Sequence, residues 1–73
     1  YDLILANILA RPLVQFSHAL SRHLAPGGVA VLSGLLTSQE AYVLRAHRRQ
    51  GLSLSRRFTR AGWSALVLEK RKG

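Results

Sequence analysis

The sequence predicts an α/β fold with the element order strand, helix, strand, helix, strand, strand. Three observations carry that reading. Residues 3–6 and 29–32 are short apolar runs with no polar face, as in strands of a parallel sheet covered on both sides by helices. The stretch between them repeats apolar residues at three- and four-residue steps, a helical period. Residues 52–55 instead alternate with period two, and a second strand-like run, 63–69, follows a short turn.

The first strand, Leu3-Ile4-Leu5-Ala6, ends on the polar Asn7. Ligands of open α/β sheets bind outside the carboxyl ends of the strands. A carboxamide there brings both a donor and an acceptor to the expected site. Asn also suits a plain backbone turn. Pro12 fits the first turn of the next helix, where its missing N–H is not needed. Leu13, Phe16, Leu20 and Leu24 form its apolar face, with Gln15, Ser21 and Arg22 mainly on the other side. Ala25-Pro26-Gly27-Gly28 stops it.

The second strand, 29–32, runs into Ser33-Gly34-Leu35-Leu36. Thr37 with Glu40 three residues on has the spacing of a capping box, placing a helix start near Ser38. Arg45, Arg48 and Arg49 complement the negative end of that helix, and Gly51 ends it. Leu52-Ser53-Leu54-Ser55 reads as a half-buried strand at the sheet's rim. Arg60-Ala61-Gly62 reads as a turn, and 63–69 as a last strand inside the sheet, paired with its predecessor as a hairpin. Trp63 is expected to pack in the core or at an edge, the Arg56-Arg57 pair to be solvated, and the tail from Lys70 to fray.

At 73 residues the chain is one domain at most, and a chain this short buries only about 60% of its unfolded surface. With no Cys and three scattered His (His18, His23, His47), neither disulfides nor metal staple it. His18 and His23, five apart, suit surface or packing roles. No apolar stretch approaches the ~18 residues of a membrane span. No secretory signal opens the chain. The net charge of +8 comes from 11 Lys and Arg against 3 Asp and Glu. Apart from Arg11 and Arg22, every Lys and Arg lies between Arg45 and Lys72. That bias favours an anionic partner such as RNA or a ribosomal particle, or it is a solvated basic face.

The element order resembles the C-terminal half of a class I, Rossmann-like methyltransferase sheet with an antiparallel last strand. Leu24-Ala25-Pro26-Gly27-Gly28 resembles a connection found widely in that class. Asp2-Leu3-Ile4-Leu5-Ala6-Asn7-Ile8-Leu9-Ala10 followed by Pro12-Leu13 resembles the fourth-strand motif of the PrmA family, methyltransferases of a large-subunit ribosomal stalk protein. Ser33-Gly34-Leu35-Leu36 with Gln39 and Glu40 is similar to the segment after that family's fifth strand. Gly62-Trp63-Ser64-Ala65-Leu66-Val67-Leu68 is similar to its last strand.

The resemblance implies that residues 1–73 are the C-terminal portion of an S-adenosylmethionine-dependent protein N-methyltransferase, cytoplasmic, acting on amines of a ribosomal protein. It implies that Asn7 contacts the methyl donor. Ser33 and Gly34 are expected either to line the acceptor side or to form a simple turn. No catalytic acid or base and no metal ligand is assigned. The chain has no glycine-rich loop after a strand and no acidic residue placed for a ribose. It is therefore expected to be a fragment, marginally stable and inactive alone, with an open edge along residues 3–5. Other readings are a methyltransferase of RNA or a small molecule, and a small basic RNA-binding module.

Overall fold

Four strands and two helices organise residues 1–7, 15 and 17–71, which the computed structural model describes. They are β1 (Leu3–Asn7), α1 (Ser17–His23), β2 (Val29–Leu36), a single 3-10 turn (Thr37–Gln39), α2 (Glu40–Arg49), β3 (Leu52–Arg60) and β4 (Trp63–Lys70). The expected helix start at Pro12 and Leu13, and Phe16 of its apolar face, lie outside the described residues.

The sheet order is β1-β2-β4-β3. β1 runs parallel to β2, with Leu3 opposite Val29 and Asn7 opposite Ser33. β4 is antiparallel to both β2 and β3. The last strand is thus inside the sheet and the alternating strand at its rim, as the sequence predicts. The reason is apolar content: β4 offers apolar side chains to both faces, while the first half of β3 offers them to one.

Both helices pack on one face. Leu20 and Leu24 from the first helical segment and Val43 and Leu44 from α2 close over Ala30, Leu32, Leu35, Leu52, Leu66 and Leu68. Ile4, Ala6 and Leu54 pack partly buried against this core. On the opposite face Leu3, Leu5, Phe58 and Trp63 are each more than half exposed. The expected two-sided cover of β1, and the expected packing of Trp63, are therefore not formed among the described residues. No described element lies on that face.

Two strands run past their expected ends, β2 to Leu36 and β3 to Arg60, and each carries one extra residue. Leu32 pairs with Leu66 but Leu35 with Ser64, so Ser33 and Gly34 together oppose Ala65. Leu54 pairs with Leu68 but Arg56 with Val67, so Ser55 is extra. These are β-bulges. The β3–β4 turn is tight: Ala61 and Gly62 both have positive φ, 51° and 81°. Such turns match the twist of a hairpin. Ala pays roughly 1 kcal/mol for that conformation.

The helix ends differ from expectation too. The N–H of Leu36 donates to Gln39 Oε1 at 3.0 Å, so Gln39 closes the turn before α2. Glu40 points instead into the sheet. Ser21 is buried; its hydroxyl donates to the Gln50 carbonyl at 2.8 Å. Lys70 belongs to β4, and its ammonium donates to the carbonyls of Ser21 (2.5 Å) and Leu24 (2.9 Å). It satisfies orphan carbonyls at the end of α1, which is why this part of the tail does not fray. No described helix is long and apolar enough to cross a membrane.

Candidate functional site

The carboxyl ends of the parallel pair bring Asn7 and the β2 bulge together. Asn7 closes β1 opposite Ser33. The extra residue of β2 sets Gly34, at φ 79°, beside the Asn7 side chain. A Cβ built on Gly34 would lie 2.5 Å from Asn7 Oδ1. The carboxamide thus lies over a bare α-carbon. Ser33 and Gly34 are not a simple turn before the helix, since β2 continues to Leu36. An open groove of about 500 Å³ runs along β1, lined by Leu3, Leu5 and Asn7 of the strand and by Ala19 and His23 of α1. A carboxamide in this place accepts and donates without changing charge with pH.

A second polar cluster went unrecognised in the sequence. Glu40, buried at the start of α2, accepts from Arg57 Nε at one oxygen and from Arg57 Nη2 at the other, 3.1 Å away. Ser64 Oγ donates to the same Glu40 Oε2 at 2.5 Å. The Arg57 bonds first, and then that of Ser64, hold the Glu40 carboxyl below its ordinary pKa, against the opposite pull of burial. Arg57 is therefore not simply solvated, although its side chain is 52% exposed. The bulge decides this. Were Ser55 paired in the regular ladder instead of bulged, strict alternation from Leu52 and Leu54 would aim Arg56 at the helix side. With it, Arg57 shares a face with Leu66. The signal was present in α2: Glu40, Val43, Leu44 and His47 lie at helical spacing and are all buried.

His47 sits at the far end of that stripe with no exposed surface. Its Nδ1 lies 2.8 Å from the Val43 carbonyl. A carbonyl only accepts, so Nδ1 carries the proton, and Nε2 has no hydrogen-bond partner among the described residues. Burial lowers the pKa of the ring, which the Val43 bond partly offsets. His18 and His23 are exposed on α1. No group of three or more potential metal ligands occurs among the described residues. On the outer side of α2, Arg45, Arg48 and Arg49 line a shallow groove with Ala41 and Leu44.

Residues 1–71 match the family described as ribosomal protein L11 methyltransferase (PrmA). The chain is 48% identical over 69 residues to the ribosomal protein L11 methyltransferase of Brucella suis, covering 94% of this chain and 24% of that protein. It is 50% identical over 70 residues to that of Rhodopseudomonas palustris, covering 96% and 24%. Its fold superposes on the crystal structure of a ribosomal protein L11 methylase from Lactobacillus delbrueckii subsp. bulgaricus with a TM-score of 0.90 at 27% identity, covering 96% of this chain and 36% of that one. The chain spans about a quarter of the length of the curated relatives it matches. A family match across nearly the whole chain and a common sheet agree, and the chain belongs to the ribosomal protein L11 methyltransferase (PrmA) family.

Proposed function

We propose that this chain is the C-terminal part of an S-adenosylmethionine-dependent methyltransferase, that Asn7 contacts the methyl donor, and that the acceptor amines belong to ribosomal protein L11. The observation that carries the proposal is the Asn7 carboxamide at the carboxyl end of a parallel strand, seated on Gly34. The donor group supplies an electrophilic methyl on a sulfonium. Transfer to an amine would form a C–N bond as the C–S bond breaks, the electron pair leaving with sulfur and the product's extra proton passing to water. Such a transfer needs an aligned, uncharged amine more than a strong base. Asn7 fits: its oxygen accepts from an amine N–H and leaves the lone pair free to point at the methyl. The chain has no glycine-rich loop after a strand, so most donor contacts belong to the rest of the enzyme.

The test is methyl transfer to purified L11 by the full-length enzyme and its Asn7→Ala variant, with circular dichroism to check the fold. A misplacement of about 1 Å costs on the order of a hundredfold in rate, and a loss of that size is expected with the fold unchanged. Wild-type turnover in the variant would leave Asn7 as a backbone terminator. The proposal includes contact with the ribosomal particle through Arg45, Arg48 and Arg49, supported by their common groove on α2. Binding to assembled particles should then weaken steeply as salt rises, and salt-independent binding would remove that part.

A further inference from the structure

We infer that Gly34 is a positioning residue for the reaction: the bare α-carbon in the β2 bulge fixes where the Asn7 carboxamide sits. This rests on the reading of Asn7 as the donor-contacting group. No side-chain hydrogen bond found among the described residues involves Asn7. Among these residues, packing alone seats the carboxamide. The register places Asn7 opposite Ser33, and the extra residue then sets Gly34 under the side chain. A Cβ on Gly34 would stand 2.5 Å from Oδ1. An ordinary carbon–oxygen contact is about 3.3–3.6 Å, so a methyl group must displace the carboxamide by roughly 1 Å. The amide's orientation does not matter, since an NH2 in the same place meets the same methyl.

Gly34 also has a positive φ, which any L side chain strains. The chain supplies a control that separates the two effects. Gly51 has φ 84°, and a Cβ built there meets nothing within 4 Å. Gly51→Ala therefore carries the backbone strain without the contact.

The experiment compares Gly34→Ala, Gly51→Ala, Asn7→Ala and the double variant Asn7→Ala/Gly34→Ala in the full-length enzyme. Turnover and KM for L11 and for S-adenosylmethionine are measured with the thermal midpoint. Gly34→Ala and Gly51→Ala should melt at similar temperatures. Only Gly34→Ala should lose turnover, by on the order of a hundredfold. The double variant should be no slower than Asn7→Ala alone, because the displaced group is already gone. Equal turnover in Gly34→Ala and Gly51→Ala overturns the inference, as do losses that multiply in the double variant. If Gly34→Ala fails to fold, a double variant that folds and melts like Gly51→Ala supports the contact, and one that stays unfolded overturns it. Wild-type turnover in Asn7→Ala overturns the donor-contact reading itself. A slow Asn7→Ala beside an active Gly34→Ala overturns only the role of Gly34.

Discussion

Strands β2 and β3 each carry one residue more than the stretch of β4 they pair with, at Ser33–Gly34 and at Ser55. The two bulges use different chemistry. The one in β2 needs a glycine with positive φ, and its product is an empty space under Asn7. The one in β3 contains no glycine, and its product is a change of face: Arg57 rather than Arg56 turns toward Glu40. The first bulge serves the candidate site. The second fastens α2 to the hairpin, on the opposite edge strand of the sheet from Asn7. One extra residue can thus tune a reactive group or lock a scaffold, depending on what stands opposite it.

Deleting the extra residues gives the sharpest test of that contrast. Without Ser33, Gly34 is drawn into the ladder opposite Ala65 and leaves Asn7 unsupported. Turnover on L11 should fall on the order of a hundredfold, the penalty for misplacing a reacting contact by about 1 Å. Without Ser55, Leu54 and Arg56 keep their present partners, and Arg57 still faces Glu40. Turnover should then stay at the wild-type level. Equal damage from the two deletions would break the comparison.

The clamp itself should show in stability. Glu40→Ala leaves Ser64 buried without its partner, and hydrogen bonds to charged groups contribute about 1.5–3 kcal/mol. We expect a loss of about 2 kcal/mol by urea unfolding, within the range for such bonds. Arg57→Ala should destabilise less, because its side chain is half exposed and salt-screened. Arg56→Ala should leave stability almost unchanged. A larger loss from Arg56→Ala than from Arg57→Ala would reverse the face assignment.

Acid should separate the two bulges with the smallest effect. Asn7, Ser33 and Gly34 do not titrate. Arg57 and then Ser64 depress the folded-state pKa of Glu40. Its contribution is therefore complete above the ordinary carboxyl value of 4.5 and is lost as pH falls through the lower folded value. His47 acts earlier on the same helix. Burial, partly offset by the Val43 bond, lowers its folded pKa, so protonation favours the unfolded chain. Its contribution is complete above 6.5 and declines as pH drops below that value toward the folded one. Urea midpoints across this range should therefore fall less steeply in His47→Leu than in wild type. An identical slope near pH 6 would remove His47 as the cause.

Much of the fold was legible because periodicity is local. Apolar runs at residues 3–6 and 29–32, alternation at 52–55 and the glycine-bearing turn at 61–62 specify strands and their places in the sheet without knowledge of partners. Asn7 was legible for the same reason, as the polar residue ending an apolar strand. The role of Glu40 is hidden in the sequence because Thr37 and Glu40 have capping-box spacing. That local pairing lost to Arg57, which adds charge to its hydrogen bonds. Helix phase places Ser21 outward, yet the Gln50 carbonyl gives its hydroxyl a buried partner.

By itself the sequence determined the element order, the parallel β1–β2 pair, the inner position of β4 and the family to which the chain belongs. Only the tertiary structure decided which of two adjacent arginines reaches Glu40, and that Gly34 lies under Asn7. The physical reason is the ladder. Side-chain direction within a strand follows from its own alternation, but a bulge forms against a partner, and one extra residue reverses every face beyond it.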